Sequence, residues 1–378
     1  MEKIDKYQLI AMTILFIIGS SPLYQLGIEV NQDAWLVMLT GMLAGLLLLF
    51  VYLYIQNQNA GKGLFQILKH HFGRLIGTIL AIAYIFYFIY ESMRNTREFG
   101  DIINVAFLPN TPLFLLMLIM IVLSGYAVSK GIEVFFRVVE FLLPITMIGY
   151  FLLVMMFIST NLIHLERLLP ILENGVMPVI NAAIPKVISF PFGQIVVFLV
   201  FWSHLNNRKP LTKVTVLSYL FVGVFLLVFS ILNLAILDPT ITSISTLPML
   251  RSVRLIQIAN FLERLDPIIM MLIYIGIFVK MTAFYMAAVL GLSQLIKISH
   301  KMLTLAVGGF IYAISFISPN LIHHLWIGFE QNLKYHFPIF QIYVPLLLAL
   351  IIMLRSIFSS MRKGGTKPSP ASKKDGQT

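Results

Sequence analysis

Three interruptions of the apolar segments carry residues that could bind a small charged molecule. The first is Gly-Ser-Ser-Pro at 19–22, and the second is Ser-Phe-Pro-Phe-Gly at 189–193. Because proline removes a backbone donor and glycine adopts non-helical angles, both clusters predict a broken helix. Free amides at one broken end suit a carboxylate, and free carbonyls at the other suit an amine or cation. The third interruption is Lys280, a lone charge within the segment 267–296.

Each break is assigned one end of a zwitterion such as an amino acid. The predicted ligand-binding residues are Gly19, Ser20 and Ser21 at the first break and Ser189, Phe190, Phe192, Gly193 and Gln194 at the second. The first set is assigned to the carboxylate, because glycine lets the backbone approach and serine hydroxyls add donors. The second set is assigned to the amine, with two aromatic walls and a hydrogen-bonding glutamine. Two alternatives stay open: a break that only kinks a packed helix, and Phe rings that only pack against lipid or other helices.

Lys280 is the strongest single candidate for a functional residue. An ammonium group in the middle of a membrane is costly, so an intramembrane lysine is a functional hypothesis by default. Ala283, Phe284 and Ala287 share its face at helical spacing, and the first two are predicted to line the site. The alternative is a lysine that pairs with a backbone carbonyl for folding alone.

A polar stripe runs along the third apolar segment, with Tyr84, Tyr87, Glu91, Arg94 and Glu98 at spacings of three and four residues. Such spacing allows ion pairs along one helix face. One interpretation is an aromatic lid and gating network near the outer face of the membrane. The favoured interpretation is an interfacial aromatic belt with surface ion pairs, except that Tyr87 is assigned to the ligand site.

The composition is typical of an integral membrane protein. Hydrophobic residues make up 59% of the 378 residues, mean hydropathy is +0.90, and charged residues are only 11%. The net charge of +11 is scattered between apolar runs, so no nucleic-acid partner is expected. The absence of cysteine excludes thiol catalysis, and no catalytic motif or phosphate-binding glycine loop appears. We expect no enzymatic activity, no cofactor and no metal, since the His pairs at 70–71 and 323–324 have no nearby acidic partners.

Ten segments are long enough, or nearly so, to cross a membrane as helices. They are 8–28, 34–55, 74–97, 112–128, 138–158, 184–204, 213–236, 267–296, 302–318 and 338–358. With a cytoplasmic N-terminus, the inner segments hold 18 Lys and Arg and the outer ones 8. Because cytoplasmic loops are enriched in these residues, we expect both termini in the cytoplasm. The basic segment 359–378 is predicted to be a disordered cytoplasmic tail, and the outer segment 159–183 to contain a short interfacial or re-entrant helix.

The two predicted breaks lie about 170 residues apart, in the first and sixth segments. Each therefore begins a set of five, from about 8–158 and 184–358, within one permease-like domain at 1–358. Because five is odd, the second set must be inserted upside down relative to the first. Inverted repeats that each contain a broken helix are typical of transporters with a binding site at the membrane midplane.

The chain resembles the endospore germination permease family, over residues 5–358. The resemblance rests on the joint order of "GSSPLYQLG", "NQDAW", "REFGDIINVAFLPNTPL", "RVVEFLLPI", "LLPILENGVMPV", "SFPFGQ" and "FVKMTAFYMAAVLGLSQL". Members are the B subunits of nutrient germinant receptors and distant relatives of amino acid–polyamine–organocation transporters. The resemblance implies an all-α, LeuT-like fold of ten helices with a 5+5 inverted repeat and broken helices 1 and 6. It also implies that Lys280, on the eighth helix, lies at the first break, where sodium-dependent members bind a cation, and removes the need for sodium.

The function implied by the resemblance is nutrient sensing in the inner membrane of the spore, together with an A subunit and a lipoprotein C subunit. The nutrient is expected to be an amino acid. The family pattern often places an acidic residue after "FPFG", where this chain has Gln194. Two alternatives stay open: an autonomous secondary amino-acid transporter, with or without proton coupling, and an assembly scaffold with degenerate breaks.

Overall fold

The computed structural model describes residues 2–256 and 266–364. Helices make up most of this part of the chain, and it contains no β-strand, only one parallel bridge between Ile4 and Leu205. Residues 365–378 of the predicted tail 359–378 lie outside the described residues, as does the stretch 257–265, which precedes the predicted segment 267–296. The all-α prediction is confirmed.

Seven helices of the described ranges are long and apolar enough to cross a membrane. Their bounds are Lys6–Leu23, Ile28–Gln58, Arg74–Ala106, Ile132–Ser159, Leu211–Leu237, Asp266–Ser293 and Leu321–Phe358. An eighth span is counted if Val176–Ala183 and Ile188–His204, which are bent by 43°, form one broken span. Two shorter apolar helices, Leu113–Ser129 and His300–Ile314, fall below the usual length. The chain is therefore a multi-pass membrane protein, while the count of ten and the 5+5 repeat stay predictions.

The α-helices are numbered in chain order. They are α1 Lys6–Ile18, α2 Ala34–Gln58, α3 Leu64–Phe72, α4 Arg74–Ala106, α5 Leu113–Ser129, α6 Ile132–Ser159, α7 Val176–Ala183, α8 Phe198–Phe201, α9 Leu211–Leu237, α10 Pro239–Ser243, α11 Pro248–Arg254, α12 Asp266–Ser293, α13 His300–Ile314, α14 Leu321–Trp326 and α15 Val344–Gly364. Short 3-10 helices lie at Ser21–Leu23, Ile28–Asp33, Leu165–Leu168, Gly193–Val197 and Trp202–His204. Wider π-helical turns occupy Ile188–Phe192 and Ile327–Tyr343.

The first predicted break is present at the end of α1. The helix begins at a capping box, in which the Asp5 carboxylate accepts from Gln8 N–H (2.9 Å) and the Gln8 amide oxygen accepts from Asp5 N–H (3.0 Å). It ends at Gly19, whose φ of +44° is open to glycine but strained for other residues. A single 3-10 turn, Ser21–Leu23, follows. The buried helix α1 packs against α6, α9 and α12, so this break lies inside the protein.

The second predicted break is also present. Phe190 has an extended backbone (φ −131°, ψ 122°) inside the π-helical turn Ile188–Phe192, and a 3-10 helix follows at Gly193–Val197. All residues of 189–197 are buried. Irregular backbone of this kind is tolerated at membrane depth only where protein or a polar cavity surrounds it. Both interruptions therefore lie where a ligand site can form.

The last apolar segment is longer than predicted. Residue 338 is the expected start, but the helical path begins at Leu321 and continues through Pro338 to Gly364. The polar sequence "GFEQNLKYH" conceals this helix, because its turns are π-helical and do not follow a 3.6-residue period. Its helical turns place Asn332 and Gln341 in the interior, where both are buried. The outer segment 159–183 contains the predicted short helix as α7.

Candidate functional site

Lys280 lies between the two breaks. A Cβ placed on Gly276, one turn earlier in α12, would overlap the Gly19 carbonyl oxygen, so the two backbones are in contact. A Cβ on Gly19 would lie 3.0 Å from Lys280 Cδ and 3.3 Å from its Nζ. The ammonium is fully buried, with Nζ 4.3 Å from the Phe190 ring centroid and 5.7 Å from that of Phe16. It therefore contacts the end of α1 and the second break at once, through cation–π geometry.

Three further charged side chains of α4 interact electrostatically with this ammonium. The Glu91 carboxylate accepts from Gln194 Nε2 at 2.8 Å and from Arg94 at 3.3 Å. The Glu98 carboxylate accepts from the Tyr24 hydroxyl at 2.8 Å, and both carboxylates interact electrostatically with Lys280. Two positive and two negative groups thus share one buried cluster. Mutual attraction offsets part of the desolvation cost of each charge.

The favoured interpretation of the α4 stripe as a surface belt is wrong. Tyr84, Tyr87 and Glu91 are fully buried or nearly so, and Glu98 is only 9% exposed. The stripe faces inward because α12 and the π-helix Ile327–Tyr343 pack against α4. Periodicity identifies one polar face but not the direction in which it points. The Glu91 carboxylate also lies beside Gln194, so an acidic group borders "FPFG" although residue 194 is not acidic.

The π-helix Ile327–Tyr343 supplies the polar wall of the second break. Gln341 Nε2 donates to the Tyr87 hydroxyl at 2.8 Å, and a Cβ on Gly193 would overlap the Gln341 amide oxygen. The Gln341 carbonyl accepts from the Tyr52 hydroxyl at 2.6 Å. Asn332 Nδ2 donates to Ser189 Oγ at 3.3 Å. Since glycine alone fits against Gln341, the backbone of the second break and this helix lie close together.

Three aromatic rings separate the buried cluster from a cavity at the helix ends opposite the N-terminus, which the Lys and Arg distribution predicts to be the outer side. Tyr24, Phe190 and Phe329 meet edge to face, with centroid distances of 6.2–6.5 Å. Beyond Tyr24 and Phe329 lies a cavity of about 250 Å³, also lined by Glu29 and Lys186. These two side chains form an exposed ion pair of 2.8 Å. The rings thus close the route from this outer cavity to Lys280.

The predicted residues divide into two groups. Gly19, Phe190, Gln194 and Lys280 meet the charged cluster. Ser189 contacts Asn332 of the π-helix Ile327–Tyr343, and Tyr87 and Gly193 contact its Gln341. Ser20 is buried between α1 and the 3-10 turn, and its hydroxyl has no partner within the described chain.

Four predicted residues form no hydrogen bond to the charged cluster within the described chain. The Phe192 ring packs against Tyr219 of α9 at 5.1 Å, and the Ser21 hydroxyl donates to the Ile17 carbonyl at 3.2 Å. Phe284 packs against Phe16 at 5.3 Å, and Ala283 is buried in α12. Their predicted contact with ligand gains no support from these positions.

The sequence analysis does not assign several residues of the cluster to the ligand site. Glu91 stands out only as part of the stripe, although a carboxylate inside an apolar segment is itself a functional signal. Asn332 and Gln341 are missed because they lie before or at the start of the expected last segment. Phe16 and Tyr24 flank the first break but look like ordinary apolar residues in the sequence.

Several buried polar atoms at this site have no protein partner. Within the described chain they include Ser20 Oγ, Glu91 Oε1, Gln194 Oε1, Lys280 Nζ, Asn332 Oδ1 and Gln341 Oε1. Buried polar groups are normally hydrogen-bonded, so these atoms call for an explanation. The Lys280 ammonium and the Ser20 hydroxyl can donate to a carboxylate, and the free oxygens can accept from an amine, so the set can bind a small molecule that carries both groups. Throughout the described part of the chain, no group of three His, Asp or Glu side chains is placed to hold a metal ion.

Comparison with known proteins identifies the family of this chain. The family model described as spore germination protein matches residues 3–323. The chain belongs to this spore germination protein family. It is 31% identical to spore germination protein KB of Bacillus subtilis (strain 168) over 371 residues, which cover 96% of this chain and 99% of the relative.

More distant relatives come from the same organism. Spore germination protein A2 is 25% identical over 291 residues, covering 75% of this chain and 77% of the relative. Spore germination protein YndE is 23% identical over 268 residues, covering 71% and 73%. The resemblance noted in the sequence is thereby confirmed, and membership of this family supports a role in spore germination.

Proposed function

We propose that this chain is the membrane-spanning B subunit of a nutrient germinant receptor and that it binds an amino acid between the two broken helices. The observation that carries the proposal is the burial of Lys280 against both breaks, beside unpartnered polar atoms. The nutrient carboxylate pairs with the Lys280 ammonium and the Ser20 hydroxyl. Its amine pairs with the free oxygens of Glu91 and Gln194. Each end of the zwitterion thus meets a group of opposite polarity.

Lys280 has a second proposed role, as a built-in cation. It lies against the end of α1, where sodium-dependent transporters of the superfamily bind an ion. A fixed ammonium at this position supplies the positive charge without an ion gradient. The receptor would then respond to nutrient alone, which suits a dormant membrane.

Ten spans and the inverted repeat belong to the same proposal. The seven long helices, the bent pair and the two shorter helices together give ten crossings. The shorter ones, α5 with 17 residues and α13 with 15, occupy the fourth place in each set of five. The two breaks occupy the first place in each set. These two irregularities at matching positions support the repeat. The proposal also places both termini in the cytoplasm and the chain in the inner membrane of the spore.

Signalling follows from a shift of populations. A nutrient that bridges the two broken helices stabilises one arrangement of them, and the equilibrium moves only as far as its affinities for the two arrangements differ. The A and C subunits of the receptor would respond to that arrangement. An aromatic closure by Tyr24, Phe190 and Phe329 is one element that nutrient entry must move.

A binding screen of the purified receptor tests the proposal. Thermal shifts are measured with amino acids, sugars and nucleosides, and an amino acid is expected to stabilise the complex. Gly19→Ala should abolish that shift, because the added methyl meets Lys280. Gly175→Ala is the matched control, since its φ of +80° is equally unusual but no described atom lies within 4 Å of the new methyl. Stabilisation by a sugar or nucleoside alone, or an unchanged response of Gly19→Ala, would contradict the proposed site.

An autonomous secondary transporter is the second candidate. It is favoured by the outer cavity, which only three aromatic rings separate from the buried cluster. Reconstitution of this chain alone in liposomes separates the two candidates. Uptake of labelled amino acid without partner subunits would favour the transporter, and binding without uptake would favour the receptor.

A further inference from the structure

A groove between α5 and α13 opens on the outside of the helix bundle. It has a volume of about 290 Å³ and is lined by apolar residues and three glycines, Gly125, Gly308 and Gly309. At its edges, Val122 is 60% exposed and Leu305 78% exposed. A Cβ on Gly309 would meet no described atom within 4 Å, so the groove is open at this point. Its floor is the Tyr285 ring, which lies beside Gly125 and Gly308.

One end of the groove continues into a basic pocket. This second cavity, of about 380 Å³, is lined by Lys130, Lys301, His204 and His300, and it shares Lys301 and Ser129 with the groove. Lys130 Nζ lies 5.1 Å from the centroid of the Tyr126 ring, which also lines the groove. Neither lysine forms an ion pair within the described residues. Two cations are therefore free to pair with an external anion.

The acidic group in the pocket is already engaged. A carboxylate oxygen of Glu2 accepts from the backbone N–H of Glu133 at 3.3 Å, in the first turn of α6. Among the described residues that line the cavity, Glu2 is the sole acidic one. Glu2 forms no ion pair with Lys130 or Lys301 within the described residues, so the two lysines give the pocket a net positive charge. The pocket lies on the side of the N-terminus, which the Lys and Arg distribution predicts to be cytoplasmic.

The helices that form the groove are short for a bilayer. At 1.5 Å per residue, α5 with 17 residues spans about 26 Å and α13 with 15 about 23 Å. The hydrocarbon core is about 30 Å thick, so lipid headgroups must approach these helix ends more deeply than elsewhere. Basic pockets between helices at such a depth suit anionic headgroups.

We propose that this groove is a binding site for an anionic phospholipid. The phosphate pairs with Lys130 and Lys301, and one acyl chain lies along the groove over Gly309. The proposal does not depend on the nutrient site, because no residue is shared between the two. It assigns an anionic lipid a place next to α12, which carries Lys280 and contacts both α5 and α13.

Native mass spectrometry of the full-length receptor in detergent tests the proposal. Delipidated protein is titrated with phosphatidylglycerol, with phosphatidylcholine of the same acyl chains, and with inorganic phosphate. Phosphatidylglycerol should be retained, and Lys130→Gln with Lys301→Gln should weaken retention about 10-fold or more. Gly309→Leu should weaken it similarly, because the new side chain fills the groove at a point where a Cβ meets no described atom. The charge control is Lys209→Gln with Lys213→Gln, two exposed lysines outside the groove, which should change retention less than about 2-fold.

Four outcomes overturn the proposal. Equal retention of phosphatidylcholine would exclude recognition of the charge, and full competition by inorganic phosphate would indicate a free-anion site. Undiminished retention in both variants would place the lipid elsewhere. If Gly309→Leu released a partner subunit and left lipid retention intact, the groove would be a docking site for a protein helix.

Discussion

Lys280 carries a charge where a charge is expensive, and its surroundings compensate only in part. The ammonium has no hydrogen-bond acceptor within the described chain and relies on the rings of Phe16 and Phe190. Cation–π contacts of this kind contribute about 2 kcal/mol when desolvated, less than the penalty of burying an ion. A residue kept for folding alone would be better replaced by an apolar one. The unfavourable environment is consistent with a ligand that completes the site.

Substitution Lys280→Met should separate stability from response. The ammonium has no directly bonded carboxylate in the described chain, but its removal leaves the Glu91 and Glu98 carboxylates with Arg94 alone. These two effects oppose each other, so we expect thermal stability within about 2 kcal/mol of the parent. The nutrient response should be lost, because the partner of the carboxylate is gone. Thermal unfolding and nutrient-induced thermal shift of the purified receptor measure the two effects. Lys186→Met, at the exposed outer cavity, is the control, and a normal response of Lys280→Met in an assembled receptor would refute its proposed role.

Among the contacts between helices, the site depends most on the close approach of α12 to the first break. Gly276 lets the α12 backbone touch the Gly19 carbonyl, and this contact sets the height of Lys280 between the breaks. At the second break, the glycine lies in the break itself, where Gly193 faces the side-chain amide of Gln341 from the π-helix Ile327–Tyr343. Each interrupted helix is thus held by one neighbour at a glycine.

Gly276→Ala should push α12 away from the first break. Overpacking in a tight contact typically costs about 1–3 kcal/mol, so the melting temperature of the purified receptor should fall and nutrient affinity should weaken. Gly309→Ala is the matched control, because its Cβ points into open space and Gly→Ala in a helix stabilises by about 0.5–1 kcal/mol. Equal behaviour of the two variants would mean that the contact does not position Lys280.

The breaks can be predicted from sequence because their cause is local. Proline and glycine disrupt a helix whatever surrounds them, so the interruptions at 19–22 and 189–193 are found correctly. The direction of the α4 stripe cannot be predicted in this way, since an inward and an interfacial stripe have the same spacing. Asn332 and Gln341 depend on a π-helix, whose wider turns do not follow the expected period. The packing partner of the Phe192 ring cannot be predicted from the sequence either, because expected burial alone does not determine which group a ring contacts.

At the scale of the whole molecule, the number of crossings decides which loops share a side. The two short helices α5 and α13 determine this number, and the eight-span alternative leaves both out. In that alternative every loop between α6 and α12 changes side relative to the ten-span arrangement. The charge distribution favours ten crossings, with 18 Lys and Arg inside and 8 outside.

Single-cysteine labelling tests the ten-span arrangement directly, because the natural chain contains no cysteine. A membrane-impermeant reagent should label Asn110→Cys and Glu166→Cys in intact cells. Lys209→Cys and Lys297→Cys should react only after permeabilisation. The eight-span alternative reverses the result for Glu166, Lys209 and Lys297, so Asn110 serves as the common control.

The central claim is that one nutrient occupies the space between the two breaks, and Ser20 tests it most directly. Its hydroxyl is buried and has no partner in the described chain, so Ser20→Cys exchanges one small group for another without removing a protein hydrogen bond. The measurement is the rate at which a small thiol reagent modifies this cysteine in the purified receptor, with and without the activating nutrient. At about ten times the Kd, bound nutrient should slow modification about 10-fold, as occupancy requires, while Ser252→Cys on α11 is unaffected. An unchanged rate at Ser20→Cys, in a receptor that still binds the nutrient, would contradict the account.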